Sequence, residues 1–526
     1  MPSTNIGGTS RCPVNVNLIR SYIMSFAKLT ELPWTPYYRQ EGSSDEESSL
    51  IYTWALAATI LFTIAVYSFE RYLNDRQRDS YKITKFPSHL EETVGKIDAE
   101  QKEADTSSTD AAAAEEKTKD DDATNSNKDK VDRHKPLLPQ LQSKFEKSQS
   151  YGSDKINFSM VSAAYETFES VAYMLLGFLP FLWDEACSIG STHFGYDETN
   201  DEIKVTLIFL LLVTLVGTVT ALPFELYSTF KIEKKHGFNK MTIGLFISDK
   251  IKSLLLTFII GGPFVALLLK IIKMGGDKFY LYVWAFMSVF SLFMMTIVPV
   301  FIMPLFNKYE PLKDGPLKDS IYALAGKLKY PLTKLFVMDG SKRSSHSNAF
   351  MFGFGSNKRI VLFDTLLTQV HDEEILAILG HELGHWKLGH TLANLFITQF
   401  YSGITFYTFS LCYSSHDLYR AFGFEGGSRP IPTMIALLLF FQTVWAPIDK
   451  IISFMMTIFS RVNEFAADKF SVDLGMSRDL QTGLCKIHLE NLGAMCPDRL
   501  YSIYHYSHPP LVERLRAMME LDKKSK

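Results

Sequence analysis

The sequence predicts an all-α integral membrane protein with one small β element, and three observations carry that reading. Apolar residues make up 47% of the 526 positions and are gathered in blocks rather than spread evenly, which suggests membrane spans. Seven of those blocks approach bilayer length, roughly 20 residues. Between the fifth and sixth block lies a folded-looking stretch that holds two strand-like runs and an H-E-x-x-H.

Residues 1–49 carry polar runs and the acidic Ser43–Glu47 patch, with only a short apolar piece near Ile19 to Met24, too little for a secretory signal. They read as a tail. The first span candidate is Leu50 to Phe69, closed by Glu70 and Arg71, inside a segment 50–94 that ends in the start of a loop. Residues 95–144 hold no aromatic residue and mix Ala, Glu and Asp with Ser, Thr, Lys and Asn. Such a segment buries too little apolar surface to offset its ordering entropy, so it is expected to be disordered.

Over 145–306 four blocks follow: Phe158 to Trp183, Val205 to Phe224, Leu254 to Ile272 and Phe279 to Phe306. The last two, Leu392 to Tyr413 and Ile431 to Phe459, fall within 391–459. Glu166 and Glu169 interrupt the second block, and Pro447, Asp449 and Lys450 the seventh. Ionisable groups in a span usually face a bundle interior or a watery cavity.

Lys and Arg accumulate in cytoplasmic loops. Lys231, Lys234, Lys235, Lys240, Lys250 and Lys252 follow the third span, whereas the loop from Asp184 to Ile203 has neither residue type. The first loop is therefore read as cytoplasmic, and alternation places 307–390 and 460–526 on the same side and the tail in the lumen. A net charge of -3 gives no sign of nucleic-acid binding. The five cysteines (Cys12, Cys187, Cys412, Cys485, Cys496) stand in no C-x-x-C spacing, which argues against a disulfide framework or a thiolate metal site.

Within 307–390 the pattern predicts a helix near Leu317 to Leu328, strands at Leu335–Met338 and Ile360–Phe363, and a helix from Asp372 through the motif. On that helix His381 and His385 lie four apart on one face and present two imidazoles to a single zinc ion, with Glu382 beside the open position. A hydrolytic zinc site needs a third protein ligand and an orienting partner, and Glu464 with Asp468, again four apart, offers both. The alternative, a third histidine on the same helix, needs Gly at 388 and His at 391, where the chain has Leu388 and Thr391. His390 is half a turn out of phase on a continuous helix, so it is read as an orienting or capping residue.

Asn348, Ala349 and Phe350 to Gly353 mix small and aromatic residues between turn formers, consistent with a strand edge for an extended peptide or with a plain hairpin. His508 and Arg514, near the start of a C-terminal helix, are candidates to stabilise the oxyanion of an attacked carbonyl. The Lys523–Lys526 ending fits the dilysine pattern of tails retrieved to the endoplasmic reticulum.

Seven spans, HELGH, NEFAAD and SHPPLVERL together resemble the type I CAAX prenyl endopeptidase family of membrane zinc proteases, over roughly Leu50 to His89 and Phe145 to Asp522. The resemblance implies one Zn2+ per chain held by His381, His385 and Glu464, with Glu382 as catalytic base, Asp468 orienting a ligand histidine, Asn348 to Gly353 holding the substrate backbone, and His508 and Arg514 lining the site. It further implies seven helices in a barrel around a large chamber, capped by a cytoplasmic zinc-protease domain. The substrates implied are prenylated CAAX proteins, which lose three C-terminal residues and in some members are cut a second time upstream. The lipid bilayer is the other implied partner, and the endoplasmic reticulum the implied location.

A quality-control protease using the same zinc site would share every one of these residues. A seven-span receptor or transporter would need neither the Glu464–Asp468 pair nor a folded region between spans five and six. An intramembrane protease would place its motif within a span, whereas Asp372, Glu373, Glu374 and Lys387 put this helix at the membrane surface.

Overall fold

The computed structural model describes residues 46–112, 135–353, 355–424 and 431–525. Most of the 1–49 tail, the centre of the 95–144 insertion and Lys526 lie outside these residues. The described chain is mostly helical and forms two compact units.

Five helices among the described residues are long and apolar enough to cross a membrane: Trp54–Ser80, Glu202–Glu233, Ile243–Met274, Gly276–Leu305 and Thr433–Asp473. They match five of the seven expected blocks. Of the other two, Phe158 to Trp183 is divided between helices Leu137–Leu175 and Phe178–Phe194, because Gly177 takes a left-handed backbone (φ 62°). Leu392 to Tyr413 forms one helix, His390–Cys412, whose Asn394, Gln399, Ser402 and several threonines dilute its apolar character. Phe168, Val219, Val289, Phe396 and Phe400 are each more than two-thirds exposed, the outward apolar placement of helices meant for lipid rather than water.

Pro447 does not break the last span. It cannot donate a hydrogen bond and crowds the carbonyl one turn earlier, and the turn before it, Phe441–Trp445, is a π-helix that absorbs the mismatch. The ionisable groups beside it are satisfied: Asp449 accepts from the Tyr401 hydroxyl at 2.6 Å and Lys450 pairs with Glu70 at 2.8 Å.

Among the described residues, one unit takes in the chain up to Tyr67 with Tyr165–Val213 and Cys412–Trp445. Buried Glu202 accepts from the Thr433 backbone amide there at 2.8 Å, and Trp183 packs edge-on against Phe209. Glu166 and Glu169 line a cavity of about 520 Å³ with Tyr173 and Gln442, and the Tyr173 hydroxyl donates to Glu169 at 2.7 Å.

The other unit takes in Ser68–Ala164, Thr214–Leu411 and the chain from Ala446. It contains a four-stranded sheet of β1 (Tyr309–Pro311), β2 (Leu332–Met338), β3 (Ala349–Phe352) and β4 (Lys358–Phe363) in the order β1-β2-β4-β3. β2 and β4 pair in parallel and the outer strands antiparallel. Both expected strands are present. Ile360, Val361 and Leu362 of central β4 are fully buried, and Ile360 and Leu362 share a core with Ile375, Leu379 and Leu383 of the helix Asp372–Lys387.

Disorder over 95–144 is corrected at both flanks. Residues 95–112 continue a helix from Ser88, and 137–144 open the helix Leu137–Leu175. Leu90, Val94 and Ile97 on the first, with Leu137, Leu141 and Phe145 on the second, are spaced three to four apart and bury one apolar stripe in this same core. The polar outer faces dominate the composition, which hid the stripe. Lys523 and Lys524 occupy the last turn of the helix Leu511–Ser525.

Candidate metal centre

Two helices build the centre: the motif helix Asp372–Lys387 and the helix Ala446–Asp473, here called the ligand helix. The motif helix starts at His371, whose amide donates to Glu374 at 2.8 Å. Glu374 also forms a buried ion pair with Lys486 at 2.7 Å, which ties this helix to Ser477–Glu490. The two main helices approach closely at Gly380 and Gly384. A Cβ on Gly384 would lie 3.0 Å from the Phe470 ring, and one on Gly380 would lie 3.3 Å from the Ser471 hydroxyl.

That approach brings His381, His385 and Glu464 together, their ligand atoms all within 4.8 Å of one another. The two Nε2 atoms are 3.2 Å apart, and the Glu464 oxygens lie 3.3 Å from His385 and 3.5 Å from His381. Nitrogens bound tetrahedrally to one zinc at about 2.05 Å would stand roughly 3.3 Å apart. Glu464 is buried, and among the described residues no well-aligned hydrogen bond reaches its Oε2, although His508 Nδ1 lies 2.8 Å away. Two facing imidazole nitrogens and an orphaned buried carboxylate oxygen form a donor set that a divalent cation would satisfy, so the residues fit the metal.

Behind the ligands stands an ionic layer. His381 Nδ1 is 2.9 Å from Asp468 Oδ1, and Asp468 is in turn held by Arg514 through two bonds of 2.6 and 2.8 Å. Burial pulls the His381 pKa down, but the Asp468 and Glu464 carboxylates outweigh it and hold the pKa above the usual imidazole value. Arg514 Nη1 also reaches to 3.6 Å from Glu464. Its guanidinium is thus committed chiefly to Asp468, a link between residues far apart in sequence that no local pattern announces.

His390 reaches the centre by a different route from the one its spacing predicts. The motif helix does not run on to it: Gly389 adopts φ 77° and a new helix begins at His390. The turn carries the ring back, so that His385 Nδ1 and His390 Nδ1 are 2.9 Å apart. Burial, and then the neighbouring His385, lower the His390 pKa, which favours the neutral ring needed as an acceptor.

Glu382 is partly exposed between the two histidines, and the His508 side chain is largely exposed on the Glu464 side. Asn348, Ala349, Phe350 and Gly353 belong to the edge strand β3 and its ends. Gly353 has φ 113°, and a Cβ there would sit 2.0 Å from the Asn357 carbonyl, so the turn after β3 requires glycine.

Comparison with known proteins divides the chain just before the sheet. Residues 132–308 match the family described as CAAX prenyl protease N-terminal, five membrane helices, and residues 311–522 match peptidase family M48. A CAAX prenyl protease 1 homolog of Arabidopsis thaliana is 49% identical over 397 residues, 74% of this chain and 92% of the relative. The Homo sapiens homolog is 39% identical over 501 residues, 88% and 94% of the two chains. The crystal structure of S. mikatae Ste24p superposes with a TM-score of 0.74 at 36% identity, covering 88% of this chain and 99% of that one.

Proposed function

The chain belongs to the CAAX prenyl protease 1 family of M48 metallopeptidases, and from that premise we propose that it is a zinc endopeptidase removing the last three residues of prenylated CAAX proteins. It is a membrane metalloprotease, a hydrolase. The observation that carries the finer reading is the His381–His385–Glu464 donor set, with His381 and Glu464 buried and His385 half-buried, in a chain with long apolar helices.

In this proposal zinc is held by His381, His385 and Glu464, and when bound it polarises the scissile carbonyl and makes water a stronger nucleophile at neutral pH. Glu382 takes the proton from the attacking water and delivers it to the leaving amine. Asp468 accepts from His381 Nδ1, which fixes the tautomer that leaves Nε2 free to bind, and Arg514 holds Asp468 in place. His390 does the same for His385. His508, the exposed imidazole beside Glu464, is the side chain positioned to donate to the developing oxyanion.

The substrate backbone adds to the free edge of β3, with Asn348 to Gly353 setting its register. The proposal keeps seven membrane helices over 50–94, 145–306 and 391–459, enclosing a chamber, with the catalytic regions 307–390 and 460–526 cytoplasmic, 1–49 lumenal, and the protein in the endoplasmic reticulum membrane. The lysines after the third span support that orientation. The test is cleavage of a farnesylated CAAX peptide beside the same peptide without its lipid. Release of the terminal tripeptide from the farnesylated form alone supports the reading, and equal cleavage of both refutes prenyl recognition.

A further inference from the structure

We propose that the groove between the helix Leu137–Leu175 and the end of the span Glu202–Glu233 is a binding site for an anionic glycerophospholipid. The groove has a volume of about 770 Å³ and lies wholly within the unit that carries the metal centre. Its lower wall is apolar: Phe158 stacks on Tyr227 with ring centroids 5.1 Å apart and meets Phe224 at 6.2 Å. Val161 and Tyr227 are both more than half exposed on that wall, so it opens sideways where a bilayer would meet the helices. Apolar walls of this kind suit acyl chains.

The rim is cationic. The last turn of the span, Ser228–Glu233, is a π-helix, and Lys231 and Lys235 stand over the groove from this end of the span. Asp154, the one carboxylate among the described residues that line the groove, is already bonded to Lys235 at 2.6 Å and to His236 at 2.7 Å. A zwitterionic headgroup would therefore bring an ammonium with no free anion to meet it, whereas a headgroup of net negative charge is complemented by Lys231. Aromatic rings below lysines at the end of a span are also the arrangement of a membrane interface.

The test uses the full-length protein in non-ionic detergent and three probes: short-chain phosphatidylglycerol, phosphatidylcholine with the same chains, and inorganic phosphate. Saturable binding of phosphatidylglycerol, with weaker phosphatidylcholine binding and no competition from phosphate, supports the proposal. The Lys231→Gln/Lys235→Gln double variant is expected to weaken phosphatidylglycerol binding roughly thirtyfold and to leave phosphatidylcholine binding unchanged. Val161→Trp, which fills the apolar half at an exposed position, is expected to weaken both lipids. Circular dichroism and melting matched to the parent show that each variant is folded. Equal affinity for the two lipids, phosphate competing as well as the lipid, displacement by a farnesylated peptide, or parental binding in both variants would overturn it.

Discussion

Asp468 Oδ1 lies 2.9 Å from His381 Nδ1 and 2.6 Å from Arg514 Nη2, so one carboxylate oxygen links a candidate metal ligand to a buried cation. The arrangement fixes which imidazole nitrogen faces Glu464. Removing its charge while keeping its volume separates orientation from packing. Asp468→Asn is expected to weaken metal retention about 10- to 100-fold, read by competition with a chelator. It should also lower the melting temperature, because Arg514 keeps its buried charge without its anion. Parental retention would exclude an orienting role for Asp468.

The glycines of the motif set how closely the two helices approach. Gly384→Val would press against Phe470 and push the motif helix away from the helix that carries Glu464. Metal content should fall in Gly384→Val and recover in part when Phe470→Ala is added. A variant that binds metal normally without the second change would show that the contact does not matter.

The Lys486–Glu374 pair is buried on both sides at 2.7 Å. Lys486→Met leaves a carboxylate buried and unpaired, with an expected loss of about 3 to 5 kcal/mol. Adding Glu374→Gln, which keeps the acceptor for the His371 amide, should restore most of it. Thermal melting in detergent measures both changes, and an unchanged single variant would mean that the ion pair contributes nothing.

His488 supplies a pH dependence. Burial lowers its pKa from the ordinary imidazole value of 6.5 to about 4, and its Nε2 has no hydrogen-bond partner among the described residues. Between pH 6.5 and 4 the unfolded chain binds a proton here that the folded chain does not, so stability falls as pH drops through that window. The full effect is about 3 kcal/mol. His488→Gln should flatten the fall in melting temperature over this range, and the same slope in parent and variant would assign it to other groups.

The sequence exposed features governed by local periodicity: the i, i+4 faces of His381–His385 and Glu464–Asp468, strands β2 and β4, and five of the long apolar helices. It concealed those that depend on a backbone break or a distant partner. His390 is out of phase on a continuous helix, and Gly389 interrupts that helix. The bond from Arg514 to Asp468 has no local signal, because the two are 46 residues apart. The helices flanking the acidic insertion carry a polar composition that masks the buried stripe of Leu90, Val94 and Ile97.

The most direct measurement is metal content per chain, taken on the same detergent-purified sample as release of the terminal tripeptide from a farnesylated CAAX peptide, for the parent, Glu382→Ala and His385→Ala. The account predicts one zinc and chelator-sensitive release in the parent, zinc without release in Glu382→Ala, and loss of both in His385→Ala. A parent that cleaves without zinc, or a Glu382→Ala variant that retains activity, would contradict it.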